Sequence, residues 1–191
     1  KMVAHTETNE PPAEPDRAYK VIQPELIPMI SYPYEWSFSE MKDAALLTLE
    51  VGRMALKQNM ILKDASAYNI QFLDGKPILI DTLSFDIYHE GQLWDGYRQF
   101  CQHFLAPLAL ASLVDIRLMQ LMRVYIDGIP LDLASELLPG RTKIGASGLN
   151  IHIHMHARAE KRYAESEALP TAGVKMDKAS LLRIYDSLEK T

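Results

Sequence analysis

Two five-residue runs, "NIQFL" (69–73) and "KPILI" (76–80), stand on either side of Asp74-Gly75. Few local patterns leave a chain less choice. Both positions of a two-residue type I′ turn need positive φ, which Gly takes freely and Asp tolerates, so the pair predicts a β-hairpin. Counting outward from the turn sets the register: Leu73 opposite Lys76, Phe72 opposite Pro77, Gln71 opposite Ile78, Ile70 opposite Leu79 and Asn69 opposite Ile80. Tyr68 would then face Asp81. Asn69 and Asp81 therefore arrive at the open mouth of the hairpin, and Asp64 lies on the segment feeding it. A continued ladder would turn Asn69 and Asp81 to opposite faces, so their convergence requires the strands to stop or bulge there.

The surrounding chain reads as one domain with appendages. Residues 1–18, rich in Glu, Thr and Pro, predict a disordered arm or linker. Pro24, Pro28 and Pro33 then exclude a helix and favour extended edge segments. "SFSEMKDAALLTLEVGRMALKQN" is the strongest helix: Ser37 and Glu40 form a capping box, and Ala44, Leu47, Val51, Met54 and Ala55 recur at helical spacing. After the hairpin, residues 92–126 read as mostly helical, with Pro107 ending or kinking one helix. "DGIP" is a turn, "LDLASELLP" a short helix, "GRTKIGASG" a loop and "LNIHIHMHARAEKRYAESE" a further helix. Asp177 caps a final helix, "KASLLRIYDSLEK". The expected division is 1–18 as arm, 19–168 as the main domain, and 169–191 as a linker and helix leading towards a further domain.

Composition excludes several classes. A length of 191 residues suffices for a substantial core, and 48% hydrophobic with 24% charged residues is ordinary for a globular protein. A net charge of −5 argues against a nucleic-acid surface. The lone Cys101 forbids an intrachain disulfide and a Cys-rich zinc site, in keeping with a reducing compartment. No secretory h-region opens the chain, and "FLAPLALASLV" is about half of a bilayer span, so no membrane partner is expected and the cytoplasm is the expected location.

The polar residues at the hairpin mouth suit phosphate chemistry. An Asn oxygen and a carboxylate are hard ligands for Mg²⁺, which keeps several waters and bridges phosphate oxygens. A separate Asp five residues ahead of the Asn can accept or orient the proton of an attacking hydroxyl. The bland alternative is that Asp64 and Asn69 cap turns on their own backbone and Asp81 caps the segment after it.

Asp64 to Asn69 has the D-x-x-x-x-N spacing of the catalytic loop of protein kinases and aminoglycoside phosphotransferases, and Asp81 after "GKPILI" resembles their metal-binding Asp. The helix ending "LKQNMILKD" is similar to the one that delivers that loop, and Asp95 in "LWDGY" resembles the later Asp that braces it. The resemblance covers about residues 20–130 and implies an α+β, mostly α fold: a protein-kinase-like C-lobe with a catalytic-loop β-hairpin. It implies Asp64 as catalytic base, Asn69 and Asp81 as Mg²⁺ ligands, Lys63 as a contact to the phosphates of ATP, and a small-molecule substrate. The departures are Leu62-Lys63 before the Asp, Asp81-Thr82-Leu83 in place of Asp-Phe-Gly, and no upstream Gly-rich loop or Lys-Glu pair.

"SYPYEWSFSEMKDAALLTLE", "LKDASAYNIQF", "PILIDTLSF" and "YRQFCQHFLAPLAL" also resemble a segment of large bacterial proteins labelled class I S-adenosylmethionine (SAM)-dependent methyltransferases, some labelled nodulation proteins. In that group the segment precedes the methyltransferase domain. This chain has no strand followed by a Gly-rich cofactor turn, so SAM is expected only in a separate domain. Two functions follow: a kinase-like module handling nucleotide or phosphate, or a non-catalytic pseudokinase-type scaffold serving an attached methyltransferase.

Other candidates carry less. His152, His154 and His156 would share a face on a strand, where they suit Zn²⁺; on a helix only His152 and His156 do, as partly exposed residues. Cys101 and His103, two apart on a helix, point away from each other and make no catalytic pair. Trp36 and Trp94, with Tyr32 and Tyr34, read as lining a core or hinge.

Overall fold

The computed structural model describes residues 1–145, 147–165 and 175–191. Part of the expected arm is a strand. β1 (His5–Thr8) pairs antiparallel with β2 (Val21–Pro24), and just upstream Val3 is buried. The Val3 amide donates to the Leu79 carbonyl and the Leu79 amide to the Lys1 carbonyl, both at 2.8 Å. A low apolar content concealed this, because what the segment contributes is backbone pairing to a free sheet edge. The proline-rich stretch that follows is held at Ser31, whose hydroxyl accepts from the Trp36 indole N–H at 2.9 Å. Gln71, buried, accepts from the Ser31 amide and donates to the Ser31 carbonyl, each at 2.9 Å. That pairing satisfies both ends of the buried Gln71 amide.

α1 (Phe38–Lys57) starts as the capping box requires: Ser37 Oγ accepts from the Glu40 amide, and the Glu40 carboxylate accepts from the Ser37 amide. Ala44, Leu47, Val51 and Ala55 form its buried stripe. Met54, rotated about 60° from Val51, is instead 49% exposed. Beyond α1, β3 (Met60–Leu62) pairs with β6 (Phe85–Ile87), and between them β4 (Ile70–Leu73) pairs with β5 (Lys76–Leu79). The inner hairpin has the expected register, with Asp74 and Gly75 at φ 51° and 73°. The Ile80 amide donates to the Asn69 carbonyl at 2.8 Å, one step past the assigned strands. The outer pair clamps both arms of the chain leaving the hairpin, so the segments 63–69 and 80–84 share one corner.

Pro107 does not end its helix. α2 (Gly96–Phe100) continues through a π-turn (Cys101–Leu105) into α3 (Ala106–Leu113). The Ala106 amide donates to the Cys101 carbonyl, and in this i→i−5 register the next donor would be residue 107, whose proline nitrogen has no hydrogen. The orphaned Gln102 carbonyl accepts from the Ile129 amide at 3.0 Å. Gly128 allows this approach: its φ is +92°, and a Cβ there would lie 2.6 Å from Gln102 Cβ. Proline, π-turn and glycine are thus one device.

The chain then makes a 3₁₀ segment (Ile116–Arg123), within the stretch read as mostly helical, and α4 (Leu131–Leu137). A second π-turn (Asn150–Met155) runs into α5 (His156–Glu165), and α6 (Lys178–Glu189) begins at Asp177, whose carboxylate caps the Ser180 amide at 2.8 Å. α6 packs on α1: Leu181, Tyr185 and Leu188 are buried in the common core, and Arg53 pairs with Glu189. The last helix therefore closes this core; the expected boundary at 168/169 lies outside the described residues. The resulting architecture is α+β and mostly helical. Among the described residues no helix is long and apolar enough to cross a membrane.

Candidate functional site

The corner between the two strand pairs is built around the segment that leaves β3. Four of its amides are taken by side chains and two by backbone carbonyls. The Ala65 amide donates to Gln99 Oε1 (2.7 Å), Ser66 to Asp64 Oδ1 (3.0 Å), Ala67 to His103 Nδ1 (3.4 Å) and Tyr68 to Ser66 Oγ (3.2 Å). The Lys63 and Asn69 amides donate to the carbonyls of Ser84 and Ser66. The Trp94 indole N–H reaches the Leu62 carbonyl at 2.6 Å. A loop with this many fixed donors is preorganised, because rearranging it strands buried amides.

From outside the loop, Gln99 and His103 supply its two side-chain acceptors, and sequence reasoning missed both. The available signal was their spacing of four, which puts two acceptors on one face of a helix. The brace expected from Asp95 is absent: that residue is exposed at the start of α2, with no capping bond from its side chain. Burial lowers the pKa of His103, opposed by the Asp64 and Asp127 carboxylates. A neutral ring accepting at Nδ1 carries its proton on Nε2, towards the Asp127 backbone. Replacing Gln99 or His103 by leucine is expected to leave one buried amide unpaired, at a cost of about 1–3 kcal/mol. Native-state hydrogen exchange should then speed up at Ala65 in the first variant and at Ala67 in the second. Unchanged exchange at both would show that the loop holds itself.

Two of the predicted residues are joined through a third. The Asn69 side-chain amide donates to Ser84 Oγ at 3.0 Å, and Ser84 Oγ donates to Asp81 Oδ2 at 2.6 Å. The Leu83 amide donates to Asp81 Oδ1 at 2.8 Å. β5 ends at Leu79, so Asp81 has left the ladder, as its convergence with Asn69 required. Asp64 stays outside this unit, its carboxylate closing a turn onto the Ser66 amide. Lys63 is exposed, with its ammonium 3.9 Å from the Asp86 carboxylate. Among the described residues no three His, Cys, Asp or Glu side chains gather to hold a metal ion.

Two of the three histidines are a correction. His152 and His154 are buried, where partial exposure was expected. The π-turn carrying them departs from the α-helical facing on which that expectation rested. His152 Nδ1 meets Tyr97 Oη at 2.7 Å and its Nε2 meets Ser187 Oγ at 2.8 Å. His154 lies between Ser135 Oγ (2.7 Å) and Thr142 Oγ1 (2.8 Å). Since Thr142 gives its proton to the Pro139 carbonyl, His154 Nε2 is the donor to Thr142. Both nitrogens of both rings are engaged in protein hydrogen bonds, and His156 stacks on Tyr97. Cys101 is fully buried, and burial pushes its thiol up to about 12.

No protein-family profile and no solved structure matches the chain. Nodulation protein NoeA of Rhizobium meliloti (strain 1021) is 46% identical over 111 residues, which is 58% of this chain and 23% of that protein. The chain thus spans less than a quarter of the length of this relative.

Proposed function

We propose that this chain is a kinase-like, phosphate-handling module of a longer bacterial protein, with the corner between the two strand pairs as its site. The observation that carries this reading is the hydrogen-bonded unit of Asn69, Ser84 and Asp81, set beside a loop whose Asp64 lies five residues ahead of Asn69. One carboxylate and one amide oxygen suit a small hard cation that takes the rest of its shell from water and phosphate. Asn69 and Asp81 would hold Mg²⁺, which with ATP bound neutralises charge on the phosphate oxygens. Asp64, which accepts from the Ser66 amide, would accept or orient the proton of an acceptor hydroxyl on a small-molecule substrate. Lys63 is available to a phosphate, because an exposed pair as loose as that with Asp86 contributes little. The same reading puts the module in the cytoplasm and away from nucleic acid, and assigns any SAM chemistry to an attached methyltransferase domain.

A second reading, a non-catalytic pseudokinase-type scaffold for that attached domain, is favoured by one observation. Asp64 and Asp81 each accept from a backbone amide two residues on, as residues that only cap turns do. Thermal melting of the complete natural protein separates the two. With Mg²⁺ and ATP at a hundred times Kd, binding to the native state adds about 2.7 kcal/mol and raises Tm by about 5–10 °C. Asp81→Ala should abolish the rise. No rise in the wild type would leave the scaffold reading.

A further inference from the structure

We infer that Ser84 is the positioning residue that turns Asn69 and Asp81 into one ligand set, by deciding which way the Asn69 amide faces. This rests on the phosphate-handling reading above. Ser84 is 1% exposed, lies outside the residues singled out from sequence, and touches three of them. Its carbonyl accepts from the Lys63 amide at 2.8 Å, and its hydroxyl lies between Asn69 and Asp81.

The direction of each bond follows from what each group can do. An ionised carboxylate only accepts, so the single hydroxyl proton of Ser84 goes to Asp81 Oδ2. The Ser84 oxygen then offers only lone pairs to Asn69, and the Asn69 group facing it must be the NH₂. Asn69 Oδ1 is thereby turned away from Ser84, free to meet a cation. Without the hydroxyl, the amide can rotate by half a turn and present NH₂ where the oxygen stood, and Asp81 keeps only its bond from the Leu83 amide. Groups that orient metal ligands in this way commonly change affinity by 10- to 100-fold when removed.

The test uses the complete natural protein and Mn²⁺ with ATP as the probe, read by electron paramagnetic resonance. Ser84→Ala is expected to weaken Mn²⁺ binding by about 10- to 100-fold. Ser84→Cys, which nearly keeps the volume and supplies a weak donor, should lie between it and the wild type, and serves if the alanine variant does not fold. Nuclear magnetic resonance with ¹⁵N-labelled asparagine supplies a readout free of metal: the Asn69 side-chain NH₂ should be protected from exchange in the wild type and lose that protection in Ser84→Ala. Wild-type affinity in both variants, or an unprotected Asn69 amide in the wild type, would overturn the assignment while leaving the phosphate reading intact. Absence of Mn²⁺ binding in the wild type itself would overturn both.

Discussion

Alanine at position 52 should destabilise the protein by about 3 kcal/mol or more, at the upper end for overpacking a core. A Cβ on Gly52 would lie 2.6 to 2.7 Å from Cε1, Cζ and Oη of Tyr185. Nothing nearby yields easily, since Tyr185 is 1% exposed and its ring centroid lies 4.4 Å from that of Trp94. The expected fall in Tm is about 6–12 °C. The consequence should reach the candidate site, because Trp94 is also the residue whose indole N–H holds the Leu62 carbonyl at the head of the loop. Gly52→Ala should therefore also speed amide exchange at Ala65, in the loop beyond β3. A paired experiment isolates the cause. Tyr185→Phe removes a buried hydroxyl with no hydrogen-bond partner among the described residues, so by itself it should be neutral or stabilising. Tyr185→Leu combined with Gly52→Ala should cost less than the sum of the two single changes, since the new methyl group occupies space the ring has left. Full additivity would mean that the strain lies somewhere other than this contact.

Acid should undo the same packing from the other side. His152 has its pKa lowered from the ordinary 6.5 to about 4, chiefly by burial and then by its neighbour His156. Because the folded value lies below the unfolded one, the unfolded chain binds the extra proton. The associated stability is complete above about pH 6.5 and is lost as pH falls towards 4. Each such proton contributes a slope of about 1.4 kcal/mol per pH unit, so His152 alone accounts for about 3 kcal/mol over that window. His103 and His154 are also lowered by burial and act in the same direction. Urea unfolding at pH 7, 5.5 and 4.5 should show midpoints falling steadily. In His152→Gln the fall should be shallower by about one proton. A wild-type midpoint that does not move between pH 7 and 4.5 would rule out neutral buried imidazoles. The structural reading of such a fall is specific: His152 joins Tyr97 of α2 to Ser187 of α6, and His154 joins α4 to the 3₁₀ turn at Gly140–Lys143. A proton on either ring removes an acceptor that a neighbouring hydroxyl uses, unless that hydroxyl turns its hydrogen elsewhere.

The features legible in the sequence share a short range. The Asp74-Gly75 hairpin and its register, the Ser37–Glu40 capping box and the Asp177 cap each depend on residues within about a dozen positions of one another. What was misread depends on partners far along the chain. Residues 1–3 gain order from the edge of β5, more than seventy positions away. The histidines of the second π-turn are buried because Tyr97, Ser135, Thr142 and Ser187 converge on them. Pro107 reads locally as ending or kinking a helix; that the helix runs on through it goes with the Ile129 amide, which pairs the carbonyl left without a donor.

At the site the division runs between residue choice and residue geometry. Backbone φ preferences and a two-residue turn were enough to bring Asn69 and Asp81 to one end of a hairpin, because pairing distance is set by counting from the turn. The side chains of Asn69 and Asp81 meet at Ser84, just ahead of β6, while the backbone of the loop leading to Asn69 is held by Gln99 and His103, more than thirty residues on. Local sequence carries steric preferences of the backbone; the direction of a hydrogen bond depends on a donor and an acceptor that only the folded chain brings within 3 Å of each other.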